Sequence, residues 1–257
     1  MAKSKISKAA AHLTASRARR TSPDRGILAR PLDSLVFLAP MLIFFEGVSR
    51  FVAWPVAAPQ RVVAYAMVLR FLELFGHFGL WAPAIVVVII LLTTHAASGE
   101  RWTIHWSQVG RMYVESIALA VPLLLLNLSA PLSGLRKSLP VGMVAELALG
   151  IGAGIYEELV FRLLLVTLIL LIGVDVLRLR TRGVAVVAIA LSALIFSAHH
   201  HPPLGIEPFA LSRFIFRGLA GLYLAVIFWY RGYGPAAGCH AAYNAVLVVM
   251  EFAGRSA

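Results

Sequence analysis

Apolar residues run through this chain in long unbroken blocks, and polar residues gather between them. Runs such as APAIVVVIILLTT (82–94) and VAVVAIALSALIF (184–196) show no alternation of apolar and polar positions. A strand of a membrane barrel would alternate, so the blocks predict helices. They fall at about 34–52, 62–76, 80–97, 110–129, 141–174, 184–200, 212–230 and 235–253. A membrane span takes about 20 residues. The second block is short and holds Arg70 and Glu73, which predicts a segment that lies in the interface or re-enters. The fifth is long enough for a tilted span with an overhang. The pattern therefore predicts an all-α, polytopic transmembrane bundle of seven or eight spans, with seven if 62–76 does not cross.

Composition agrees: 60% of the 257 residues are hydrophobic and the mean hydropathy is +0.84. Soluble domains run nearer 45–50% apolar. The formal charge of +11 at first suggests nucleic acid, but its placement argues for the membrane surface. Eight Lys or Arg lie within the first 31 residues against one acid, Asp24. A basic stretch ahead of a first span marks a cytoplasmic N-terminus and a contact for anionic lipid. Residues 1–31 are expected to form a disordered basic tail and 32–257 the bundle. There is no nucleic-acid motif, and the basic stretch is too long for a cleaved signal peptide. A single cysteine, Cys239, excludes an intrachain disulfide and a cysteine metal cluster.

The chemistry sits in the few polar residues inside the blocks. GIYEELVFRLLL (154–165) carries Glu157, Glu158 and Arg162 in an otherwise greasy run. Ionisable groups in a span cost about 2.5–3.5 kcal/mol each on insertion scales, so they face a partner or a wet cavity. Glu158 and Arg162 stand at i and i+4, the spacing at which a helical Glu and Arg meet. Glu157, turned about 100° away, is left without a local partner. A desolvated, unpaired acid suits general acid–base work; a structural ion pair beside a polar crevice is the plainer alternative. IFSAHHHPP (195–203) puts Phe196 and His200 on one face, with three histidines running up to Pro202. GCHAAYNAV (238–246) puts His240 and Asn244 on one face, where they serve either chemistry or interhelical hydrogen bonding. Cys239 does not share a face with His240 and reads as a small packing residue. Together, three blocks supply a carboxylate pair, a histidine and a His–Asn pair, the inventory for activating a water and stabilising an oxyanion.

The order EExxxR (Glu157, Glu158, Arg162), FxxxH (Phe196, His200) and HxxxN (His240, Asn244) resembles the CAAX protease and bacteriocin-processing (CPBP, or Abi) family of intramembrane endopeptidases, to which the type II CAAX prenyl endopeptidase belongs. The resemblance covers about residues 110–253. It implies hydrolysis of a peptide bond in or beside the membrane. In that scheme Glu157 is the general base and holds a water with His200. Glu158 supports it and pairs with Arg162, and His240 and Asn244 donate to the oxyanion. The family has been read both as metal-dependent and as metal-free glutamate proteases. No HExxH pair is present, which favours no cofactor; a zinc site would draw on Glu157, His200 and His240. The implied partners are the bilayer and a membrane-anchored or lipid-modified polypeptide. A composition rich in Ala, Val, Leu and Arg suggests a bacterial inner membrane, where cleavage of anchors or leaders is more expected than prenyl-protein processing. The competing readings are a proton- or ion-coupled transporter, whose internal repeats the sequence lacks, and a non-catalytic scaffold or immunity protein that keeps the fold.

Overall fold

The computed structural model describes residues 29–51, 62–76, 79–129, 142–205 and 207–255. Of the basic stretch expected over 1–31, all but its last three residues lie outside them. The elements are α1 (Pro31–Phe51), α2 (Val63–Glu73), α3 (Ala82–Ser98), α4 (Trp106–Ser129), α5 (Gly142–Val176), α6 (Thr181–Ala198), α7 (Leu211–Arg231) and α8 (Tyr233–Arg255). No strand occurs among the described residues. Six of these helices, all but α2 and α3, have the length and apolarity of a span. The 17 residues of α3 make a shorter apolar helix of about 25 Å at 1.5 Å per residue.

Helix boundaries follow local chemistry. Proline opens α1, where its missing N–H leaves no gap. Asp33 in the first turn of α1 complements the dipole, and its carboxylate accepts the His105 backbone N–H at 2.9 Å. α3 stops at Gly99, whose φ of +69° is the left-handed conformation that glycine adopts freely.

Hydrogen bonds fix which helix ends lie together. The Ala29 N–H donates to Arg231 O at 2.9 Å, and Arg30 binds Glu100, Thr103 O and His105. The start of α1, the α3–α4 connection and the α7–α8 turn thus share one end of the bundle. At the other end Tyr65 of α2 donates to Leu80 O at 2.6 Å, and the Arg50 guanidinium lies 3.8 Å over the Trp81 ring. α1 therefore leaves the chain at that far end, and α3 starts back from it. The 11-residue α2, which carries Arg70 and Glu73, stays on that side without crossing. Ser197 donates to Phe214 O at 2.6 Å, which puts the end of α6 beside the start of α7. The six long apolar helices and the shorter α3 thus run between these two ends.

The core is aromatic at one side, where Phe45, Tyr65 and Tyr156 pack ring to ring at 5.1–5.6 Å. Apolar side chains such as Ile85, Ile89, Val186 and Val187 point outward, the arrangement for contact with lipid. A buried Glu46 on α1 accepts from Tyr156 at 2.9 Å and pairs with Arg50, one helical turn on.

Candidate active site

Glycines on α5 let α8 come close. A Cβ added at Gly154 would lie 2.6 Å from the Ala241 backbone nitrogen, and one at Gly150 would lie 3.0 Å from Asn244 Cβ. Small residues four apart are how membrane helices reach backbone contact. That approach brings the first and third motifs, on α5 and α8, into register: Asn244 Nδ2 donates to Gly150 O at 3.0 Å, and His240 Nδ1 meets Glu158 Oε1 at 2.9 Å.

The α-helical part of α5 ends at Glu158, and the next turns, Leu159–Val166, widen to a π-helix. Such widenings recur at functional sites. The Glu158–Arg162 pairing expected from the spacing is present, with Arg162 NH1 2.9 Å from Glu158 Oε1 and neither side chain accessible. Arg162 NH2 also donates to Gly221 O at 3.1 Å, and its guanidinium carbon sits 4.2 Å over the Phe196 ring. Phe196 in turn stacks edge-on to His200 at 5.2 Å and to His240 at 5.9 Å. It packs beneath His200, as the i, i+4 spacing suggested, and also props three other site residues.

Glu157 takes a different direction. Its Oε1 lies 3.8 Å from His199 Nε2 and its Oε2 lies 3.9 Å from His240 Nε2. Both separations exceed a direct hydrogen bond, and a bridging water fits them. His240 Nδ1 faces the Glu158 carboxylate, which can only accept, so the proton sits on Nδ1. The Nε2 left facing Glu157 is an acceptor in the neutral ring and a donor in the imidazolium.

Glu157, His200, His240 and Asn244 all line one cavity of about 710 Å³. It lies among α4, α5, the end of α6, α7 and α8, and α7 is tied to α4 by Tyr223, which donates to Leu119 O at 2.9 Å. Glu158 and Arg162 stand behind its wall, fully buried. The two histidine-bearing segments meet because α6 is only 18 residues long and stops at the site, while α5 overhangs.

Two expectations change. His199, which the i, i+4 pattern passes over, is 1% exposed, sits between Phe161 and Phe196, and approaches Glu157. The helix ends at Ala198, so helical facing rules stop applying just where the three histidines begin. The conditional zinc set also shifts. The group whose donor atoms fall within 4.8 Å of one another is Glu157, His199 and His200, without His240. His240 is drawn to Glu158 on the far side of the carboxylate pair. The Nδ1 atoms of His199 and His200 both point at Phe196 O, which fixes their protons there and leaves each Nε2 lone pair free. Rings held this way through Nδ1 suit ligation as well as they suit holding a water. Cys239 is buried among Ala120, Leu224, Ala236 and Tyr243, a packing residue as expected.

Residues 140–246 match the family model described as type II CAAX prenyl endopeptidase Rce1-like. The matched stretch contains all three motifs and both glycines of the α5–α8 contact. The motif-bearing core is thus similar to the CAAX protease and bacteriocin-processing kind. No curated protein and no solved structure is significantly similar to the chain.

Proposed function

We propose that the chain is an intramembrane endopeptidase that uses Glu157 to activate water. The observation that carries this reading is the Glu157 carboxylate facing three histidines inside a cavity open to substrate, while the neighbouring Glu158 is neutralised by Arg162. A water held between Glu157 and the free Nε2 of His199 or His200 gives up a proton to Glu157 as its oxygen bonds to the scissile carbonyl carbon. The carbonyl oxygen becomes an oxyanion. Asn244 has a second Nδ2–H to offer it, since only one is used on Gly150 O. His240 Nε2, on the Glu157 side of its ring, faces the same space. Collapse breaks the C–N bond, and Glu157 returns the proton to the leaving amine. Glu158 acts through His240, as a positioning residue. Zinc bound by Glu157, His199 and His200 would act as a Lewis acid on the same water.

The substrate class that fits is a membrane-anchored or lipid-modified polypeptide. Exposed apolar residues on α4 (Val121, Leu125, Leu128) and α7 (Ile215, Leu219, Leu222) flank the cavity at bilayer depth, so a chain held in lipid has a lateral approach. Orientation follows from charge. The end of the bundle shared by Ala29 also carries Arg101, Arg178, Arg180, Arg182 and Arg231, and the basic N-terminal stretch leads into it. Under the positive-inside rule that end is cytoplasmic. The cavity mouth, ringed by the ends of α4 and α8 and the start of α7, then opens on the opposite side.

The test is cleavage of a panel of farnesylated and transmembrane-anchored reporters by purified protein. Wild type is compared with Glu157→Gln and His200→Ala, each with and without a strong zinc chelator. Cleavage that both substitutions abolish and the chelator leaves intact is the expected result. Activity persisting in Glu157→Gln would remove the water-activating role and move a carrier or scaffold ahead.

A further inference from the structure

The last turns of α5 take no part in the active site, yet they border a groove of their own. α5 runs 35 residues, and its turns after Val166 pack on α6. A Cβ added at Gly173 would lie 2.6 Å from Val184 Cγ1, so the two helices touch there. Beside that contact lies a groove of about 420 Å³. Ile169, Ile172, Leu177, Leu179 and Val187 supply its walls, and Arg180 is the one charged residue that lines it. Most of those apolar side chains are exposed, so the groove opens on the outer surface of the bundle. Gly183 also lines it, with nothing within 4 Å of where a Cβ would stand. No residue lines both this groove and the cavity that holds Glu157.

The connection from α5 to α6 shapes this groove and charges its rim. The Leu177 N–H donates to Ile172 O and the Leu179 N–H to Gly173 O, both at 2.9 Å, so the chain folds back on the end of α5. Arg178 between them has a φ of +57°, a left-handed conformation that non-glycine residues seldom take. The fold-back brings both leucines to the groove. Arg178, Arg180 and Arg182 then stand within five residues beside an apolar wall. None of the three makes an ion pair or a side-chain hydrogen bond among the described residues. Arg30, Arg50, Arg162 and Arg231, by contrast, each meet a carboxylate. Asp175, the acid nearest in sequence, pairs with none of them. Apolar walls at the end of a span, with unpaired guanidinium groups at the rim, complement an acyl chain that carries a phosphate. Basic pockets between membrane helices take anionic head groups in this way. A zwitterionic lipid fits less well, because its own cation opposes the arginines.

We infer that the groove between the end of α5 and the start of α6 binds an anionic phospholipid. One acyl chain lies along Ile169, Ile172 and Val187, and the phosphate is held among Arg178, Arg180 and Arg182. Long arginine side chains reach the head group at the membrane surface while their stems stay on apolar ground. The site stands apart from the catalytic cavity, so it does not depend on the endopeptidase reading.

The experiment counts retained lipid. The full chain, purified in detergent, is titrated with equimolar phosphatidylglycerol and phosphatidylcholine of identical acyl chains and followed by native mass spectrometry. Wild type should hold phosphatidylglycerol at least about fivefold more tightly, the value of one arginine near the phosphate. Replacing Arg178, Arg180 and Arg182 together by Gln should bring the ratio to about one. Gly183→Leu keeps the arginines but fills the groove, and should release the tightly held lipid. Arg101→Gln, which removes an exposed charge at the same end of the bundle outside the groove, should change nothing. Glycerol 3-phosphate, which has the charge without the chains, should not displace the lipid. Equal retention of the two lipids by wild type overturns the inference. So does a preference that survives both the triple Gln variant and Gly183→Leu, or one that Arg101→Gln weakens as much as the triple variant does. Displacement by glycerol 3-phosphate would make this a site for free phosphate and overturn it. A dimer in the same spectra that Gly183→Leu dissociates would give the groove to a second copy of the chain, with the same consequence.

Discussion

Gly154→Ala is the substitution on which the site's construction bears most directly. The added Cβ would lie 2.6 Å from Ala241 N, 2.8 Å from its Cα and 2.9 Å from its Cβ. Two of these are backbone atoms of α8, so no side chain can rotate away. Ordinary contact distances begin near 3.5 Å, so α5 and α8 must part by roughly 0.8 Å. The same displacement carries the 2.9 Å His240–Glu158 contact and the 3.0 Å Asn244–Gly150 hydrogen bond to about 3.7–3.8 Å, beyond bonding range. Overpacking costs about 1–3 kcal/mol and a lost charge-assisted bond about 1.5–3. Alanine's better helix propensity returns about 1. The net is a destabilisation of about 1.5–5 kcal/mol. A 1 Å misplacement of catalytic groups costs about 100-fold in rate. Thermal unfolding in detergent and reporter cleavage would be measured beside Gly110→Ala, a helical position with nothing within 4 Å of the new carbon. Gly150→Ala, at 3.0 Å from a side-chain atom, should fall between the two. If Gly154→Ala matches Gly110→Ala in both assays, close helix approach does not hold the site together.

Three other outcomes follow from the same geometry. Arg162→Met strands the fully buried Glu158 and should cost about 3–5 kcal/mol in unfolding measurements, with part of the loss recovered when Glu158→Gln is added; no recovery would mean Arg162 acts through Gly221 and Phe196 alone. His199→Asn should depress cleavage as strongly as His200→Ala, because both rings offer a free Nε2 beside Glu157; full activity in His199→Asn would confine the water to His200 and His240. With the buried Cys239 as background, Leu204→Cys should react with a membrane-impermeant maleimide on intact cells and Arg180→Cys should not; the reverse pattern would turn the cavity mouth to the cytoplasm.

Much of this protein is legible in the order of its residues. Unbroken apolar blocks dictate membrane helices, because a backbone in lipid has to satisfy its own hydrogen bonds. The short block holding Arg70 and Glu73 became a helix of only 11 residues. The i, i+4 spacings forecast the Glu158–Arg162 pair and the stacking of Phe196 under His200, since neighbours on one helix are fixed by its pitch. The tertiary structure decided everything that depends on how separate helices approach. His199 enters the site because α6 stops at Ala198, a boundary the apolar run to His200 does not mark. His240 turns to Glu158 because Gly150 and Gly154 admit α8 at backbone distance, and the sequence shows those glycines without showing what they face. Arg213 and Arg217 look like ordinary interfacial charges at the head of a span until the fold closes a cavity around them. Periodicity is a property of one helix, while a site is a property of several, and only packing supplies the relation between them.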